Sequence, residues 1–71
     1  MGNKKGIANS YNNIGVVYES QGNYPEALKS YLASLKIQEE IGNKYGISAS
    51  YNNIGEVYFK QGNYPEALKN Y

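Results

Sequence analysis

The chain has 71 residues, seven cationic and six anionic side chains, and no His, Cys, Asp, Arg or Trp. Without His, Cys or Asp there is no material for disulfides, for nitrogen or sulfur metal sites, or for the usual nucleophile and base pairs. The near-even charge sets up no field for nucleic acid or an anionic membrane, so neither is expected as a partner, no cofactor is implied, and an enzyme is disfavoured.

Residues 1–6 are a lead-in. Tyr11, Ile14, Gly15 and Tyr18 then recur at i, i+3, i+4 and i+7, one stripe of a 3.6-residue helix, and predict a first helix over about 7–21. In QGNYP, Gly22 suits a left-handed helix end and Pro25 the first turn of a new helix. A second helix follows over about 24–41, with Ala27, Leu28, Tyr31, Ser34, Leu35, Gln38 and Ile41 on a broad face and Lys29, Lys36 and Glu40 opposite. The segment 42–46 is expected to be an inter-repeat turn, with Gly42 and Gly46 as hinge residues. Helices over about 47–61 and 64–71 repeat the first pair, because a shift of 40 residues superposes 2–31 on 42–71 with differences only at residues 5, 8, 9, 16, 19, 20 and 30. The expected units are therefore 7–41 and a shorter 47–71. A fixed period of this size signals a solenoid of stacked supersecondary units.

The spacing Tyr11-x₂-Ile14-Gly15-x₂-Tyr18, then Ala27-x₃-Tyr31, repeats as Tyr51-x₂-Ile54-Gly55-x₂-Tyr58, then Ala67-x₃-Tyr71. It resembles the tetratricopeptide repeat, with aromatic, aliphatic-glycine and aromatic positions on the first helix and a small residue on the second. The 40-residue period exceeds the usual 34, and the closing proline is absent, which is similar to the long repeats of kinesin light chains. The resemblance implies an all-α fold of antiparallel helix-turn-helix repeats, stacked as a short right-handed α-solenoid of slightly under two units. Gly15, Gly55 and Ala27 would let helices approach while the tyrosines wedge beside them.

In that family the first helices of successive units line a concave groove for a peptide or a partner helix. The corresponding face here carries Asn9, Asn13, Val16 and Ser20, with Asn12 at its edge, and then Ala49, Asn53, Glu56 and Lys60, flanked by Asn52 and Phe59. An asparagine amide offers both donor and acceptor, so Asn13 and Asn53 could pair with a peptide backbone. A plainer role, solvating a helix face or bonding a neighbouring helix, fits the same residues. A carboxylate clamp is disfavoured, since Asn9, Ala49, Val16 and Glu56 stand where cations would be wanted. The tyrosines recur at packing positions with no basic channel, so they read as core rather than as nucleobase platforms. Tyr24 and Tyr64 read as staples at the start of a second helix, and Glu19, Glu39 and Glu40 as solvated charge.

The functional expectation is a non-catalytic protein-interaction scaffold, soluble and cytoplasmic, since no signal peptide or apolar span appears. The competing expectation is structural. A chain this small buries only about 60% of its unfolded surface, and it stops at Tyr71 inside an unfinished helix. Near-identical units that end this way read as an excised or engineered piece that self-associates into a homo-oligomer, whether by stacking its ends or by exchanging helices about the Gly42 and Gly46 hinge.

Overall fold

The computed structural model describes residues 3–62, and these form three helices: α1 (Lys4–Ser20), α2 (Tyr24–Glu40) and α3 (Lys44–Lys60). No strand occurs among the described residues. The predicted helix over 64–71, with Tyr64, Ala67 and Tyr71, lies outside them.

Each helix is 17 residues long and each turn between them three, so the helices start at intervals of 20. One device at each junction sets that interval. At the end of α1 the Gly22 amide donates to the Glu19 carbonyl (3.0 Å), and the Asn23 amide reaches back to the Tyr18 carbonyl (2.9 Å). This is the paired closure that satisfies the last free carbonyls of a helix. It needs Gly22 at φ +74°, a left-handed conformation that costs a residue with a Cβ about 1–2 kcal/mol. Gly42, at φ +67°, closes α2 in the same way, with Asn43 bonded to the Gln38 carbonyl at 3.0 Å. The same asparagine then opens the next helix: the Asn23 carbonyl accepts from the Ala27 amide, and the Asn43 carbonyl from the Ile47 amide.

α1 and α3 begin at Lys4 and Lys44, three residues ahead of the starts expected at 7 and 47, and α2 stops at Glu40 rather than 41. Asparagine capping accounts for the early starts. Asn3 Oδ1 accepts from the Gly6 amide at 2.9 Å, and Asn43 Oδ1 from the Gly46 amide at 3.2 Å, so each satisfies a donor that the first helical turn leaves open. Gly46 therefore lies within α3 and not in the inter-repeat turn expected over 42–46. It sits in the first turn of α3 against Gln38, whose carboxamide a Cβ at position 46 would strike. Gln38 is itself fully buried and accepts from Asn43 Nδ2 at 2.9 Å, tying the end of α2 to the start of α3.

α2 packs against both of its neighbours and carries much of the interior: Ala27, Ser30, Tyr31, Ser34, Leu35 and Gln38 are buried. With Ile54 and Val57 of α3, the apolar members Ala27, Tyr31 and Leu35 form the core, and Tyr18, Tyr24, Leu28, Ile47 and Tyr58 pack around it. Lys29, Lys36 and Glu40 lie on the exposed face of α2. Lys4 Nζ stands 3.8 Å from Glu40, as the antiparallel pairing of α1 and α2 requires.

The two units are buried unequally. In α3 the shared residues Ile54 and Val57 are 3% and 0% exposed beneath α2, while their counterparts in α1, Ile14 and Val17, are 45% and 56% exposed. Tyr11 and Tyr51 are also exposed, so Tyr11, Ile14 and Tyr51 do not take the packed positions expected of them. For Ile14 the physical reason is one-sided coverage, since α2 seals the Gly15 side of α1 and no described helix lies over Ile14. Gly15 and Gly55 are buried and Tyr18 and Tyr58 half-buried. No helix among the described residues is long and apolar enough to cross a membrane.

Candidate functional site

α1 and α3 run in the same direction on either side of α2, and two open clefts lie along the seam between them. The first, of about 190 Å³, is lined by Val16, Glu19 and Ser20 of α1 and Asn53, Glu56 and Lys60 of α3, with Tyr31 of α2 as its floor. The second, of about 330 Å³, lies toward the helix starts. Lys5, Asn9 and Asn12 form one wall, Asn43, Tyr45, Gly46 and Ala49 the other, and Gln38 the floor. Of the residues expected on the groove face, Val16, Asn53, Glu56 and Lys60 meet in one cleft, and Asn9 and Asn12 enter the other. Asn13, Asn52 and Phe59 are exposed and line neither. The oxygen of the Asn12 amide is buried without a hydrogen-bond partner among the described residues.

At the base of the first cleft the structure corrects the sequence reading of Glu19, which is not a solvated charge. Glu19 is 8% exposed, and its Oε1 accepts the Tyr31 hydroxyl at 2.8 Å, across the α1–α2 interface. Lys60 Nζ stands 2.8 Å from its other oxygen as an ion pair and 4.0 Å from Glu56. A buried carboxylate is tolerated only when paired and hydrogen-bonded, and here one partner comes from each of the other two helices. No motif in a single unit could reveal this, because the second unit carries Phe59 and Lys60 where the first has Glu19 and Ser20. The one signal in the sequence was that both positions break the 40-residue repeat, Glu19 and Ser20 standing where the second unit has Phe59 and Lys60.

The network sets the titration of its members. Burial alone would raise the Glu19 carboxyl, but the Lys60 ammonium and the Tyr31 hydroxyl outweigh it and hold the group below the ordinary carboxylate range. Burial, and then the adjacent carboxylate, push the Tyr31 hydroxyl well above the usual phenol range, and the hydrogen bond to Glu19 raises Lys60. The Glu19 carboxyl is depressed on folding, so the unfolded chain binds the extra proton as pH falls. The stability that Glu19 contributes is therefore present above its ordinary value of 4.5 and lost as pH drops below it. Tyr31 and Lys60 act at the other end: their contribution holds below their ordinary values of 10.0 and 10.5 and is lost as pH rises beyond them. Because the Lys60 side chain is 44% exposed, solvent screens the ion pair to a fraction of its dry strength. Glu19→Gln keeps an acceptor for Tyr31 and should cost about 1 kcal/mol near neutral pH. Urea denaturation of both chains should show that gap closing as pH falls below 4.5. A gap independent of pH would mean that the Glu19 charge plays no part.

Neither curated proteins nor solved structures give a significant match to this chain. A family model described as "Tetratricopeptide repeat" matches residues 6–71, which takes in all of α2 and α3 and nearly all of α1. With helix hairpins joined by glycine-closed turns and the repeated aromatic, aliphatic-glycine and alanine spacing, the chain belongs to the tetratricopeptide repeat family.

Proposed function

We propose that the chain is a non-catalytic scaffold that holds an extended peptide or a partner segment along the seam between α1 and α3. Membership of a family of protein-interaction scaffolds supports protein partners in general. The observation that carries the finer reading is the pair of clefts floored by α2 and walled by amide side chains, Asn9, Asn12 and Asn43 in one and Asn53 in the other. Primary amides satisfy a peptide backbone's donors and acceptors without regard to its side chains, as a general scaffold needs.

A second reading, self-association, is favoured by a different observation: Ile14 and Val17 lie exposed on α1 while the same residues of the next unit are sealed beneath α2. A surface like that of α2, offered by a second copy of the chain, has the right chemistry to cover them, and such head-to-tail contacts can propagate.

One experiment separates the two. A random linear dodecapeptide library, displayed on phage, is selected against the ¹⁵N-labelled chain, and enriched peptides are titrated by NMR while light scattering follows mass over a wide concentration range. Groove binding should shift the side-chain amides of Asn9, Asn12 and Asn53 at constant monomer mass, and Asn53→Ala should weaken it about tenfold. Mass that grows with concentration, with shifts confined to Ile14 and Val17, would replace the groove by self-association.

A further inference from the structure

The two units are close to identical, so the few positions where they differ can be placed one by one. Superposed at 40 residues, 23 of 30 pairs are the same. Five of the seven that differ place residues in the two clefts. Lys5, Asn9, Tyr45 and Ala49, from two of the differing pairs, all line the larger cleft. Val16, Glu19 and Ser20, with Glu56 and Lys60 from the matching positions, line the smaller one. Residues common to both units build helices, turns and core, while variation concentrates along the α1–α3 seam. A scaffold whose groove read only peptide backbone would have no use for such variation.

The variation is also ordered by charge. In the larger cleft Lys5 is the one charged wall residue, and no acidic side chain among the described residues pairs with it, since neighbouring Lys4 is taken by Glu40. In the smaller cleft Glu19, Glu56 and Lys60 leave a net charge of −1. Glu19 is consumed by Lys60 at 2.8 Å, so the accessible negative charge is Glu56, which is half-exposed and only 4.0 Å from the same ammonium. Tyr45, level with Lys5, and Glu56 are eleven residues apart on α3, or roughly 16 Å at about 1.5 Å per residue. An extended peptide covers that distance in about five residues, at ~3.3 Å each.

We infer that the groove selects peptides carrying an acidic and a basic side chain four to five residues apart, the acid seated at the Lys5 end and the base at the Glu56 end. Such opposed charges also fix the direction in which the peptide lies, which amide contacts alone leave open. The inference rests on the groove reading, and the test keeps the two apart.

The dodecapeptide library is selected in parallel against the wild-type chain and against Lys5→Glu/Glu56→Lys. Both residues are exposed, and an acid at position 5 suits the first turn of α1, so the variant should fold, as circular dichroism will verify. The wild type should enrich peptides with acid and base four to five residues apart in one fixed order, and the double variant should enrich the reverse order. A wild-type peptide should bind the double variant about tenfold more weakly. Enriched peptides that depend on Asn53 but show no charge order, or the same order from both chains, would overturn this inference and leave the groove standing. No enrichment by either chain would overturn both.

Discussion

Tyr31→Ala is expected to unfold the chain at room temperature, while Tyr31→Phe leaves it folded but weakened. The Tyr31 ring is 1% exposed and is the largest fully buried side chain among the described residues. Its aromatic body belongs to the core formed with Ala27, Leu35, Ile54 and Val57, and its hydroxyl donates to Glu19. Truncation to alanine removes the transfer energy of the ring and opens a cavity that three helices cannot all close upon, a loss of about 3–5 kcal/mol. Small domains hold about 5–15 kcal/mol in total, and one this short sits at the low end. Phenylalanine keeps the packing and removes only the hydroxyl, leaving Glu19 buried with Lys60 as its remaining partner. A hydrogen bond to a charged group contributes about 1.5–3 kcal/mol. Urea denaturation followed by circular dichroism at 222 nm on the wild type and both variants is the measurement. Equal losses for the two substitutions would mean that the hydroxyl bond, rather than the ring, holds α1 to α2, and a negligible loss for Phe would mean that Glu19 is served by Lys60 alone.

Much of this architecture was legible in the sequence for one physical reason: helix periodicity and glycine closure are local. The stripe through Ala27, Tyr31, Ser34, Leu35 and Gln38 announced α2, and Gly22 and Gly42 announced the ends of α1 and α2, because backbone sterics act within a turn or two. What was misread was also local but subtler. The dipeptide Gly-Asn recurs at 2–3, 22–23, 42–43 and 62–63, an interval of 20 residues that is half the period of the side-chain pattern. Attention to glycine as a helix breaker placed 42–46 in a loop, whereas the asparagine after Gly42 had already started α3 and Gly46 is part of it.

The exposed Ile14 failed for another reason. Its sequence environment repeats that of Ile54, so no local argument could give the two different burials; coverage is set by what lies on the far side of the helix. Glu19 was hidden for a related reason. Its burial depends on Tyr31, twelve residues on, and Lys60, in the next unit, neither of which helical periodicity brings near it. The expected groove face stands between these cases. Sequence placed Val16, Asn53, Glu56 and Lys60 on one face, and the clefts gather them, but the division into a positive and a negative half appears only once α1 and α3 lie side by side.

Gly15→Val is expected to cost about 3 kcal/mol, and Gly15→Ala about 1–2 kcal/mol, despite alanine's better helix propensity. A Cβ built on Gly15 lies 2.6 Å from Cε1 and 2.8 Å from Cδ1 of Tyr31. Carbon atoms rest at about 3.5–4.0 Å, so the helices must part or the ring must turn. Turning is blocked, because the ring is enclosed by core on one side and anchored through its hydroxyl to Glu19, four residues along from Gly15 itself. Parting α1 from α2 lengthens every contact along their interface, which exceeds the roughly 1 kcal/mol that a helical glycine gains on becoming alanine. Gly22→Ala serves as the contrast, since its Cβ would meet nothing within 4 Å and its cost would come wholly from the left-handed backbone at φ +74°. A double-mutant cycle tells the mechanisms apart. Gly15→Ala combined with Tyr31→Leu should be less damaging than the two losses added, because leucine lacks the ring that the new methyl strikes, whereas Gly22→Ala with Tyr31→Leu should add. If Gly15→Ala instead raises the melting temperature, α1 and α2 are not in ring-to-backbone contact at Gly15, and the recurring Ile-Gly pair would then reflect helix entropy rather than close packing.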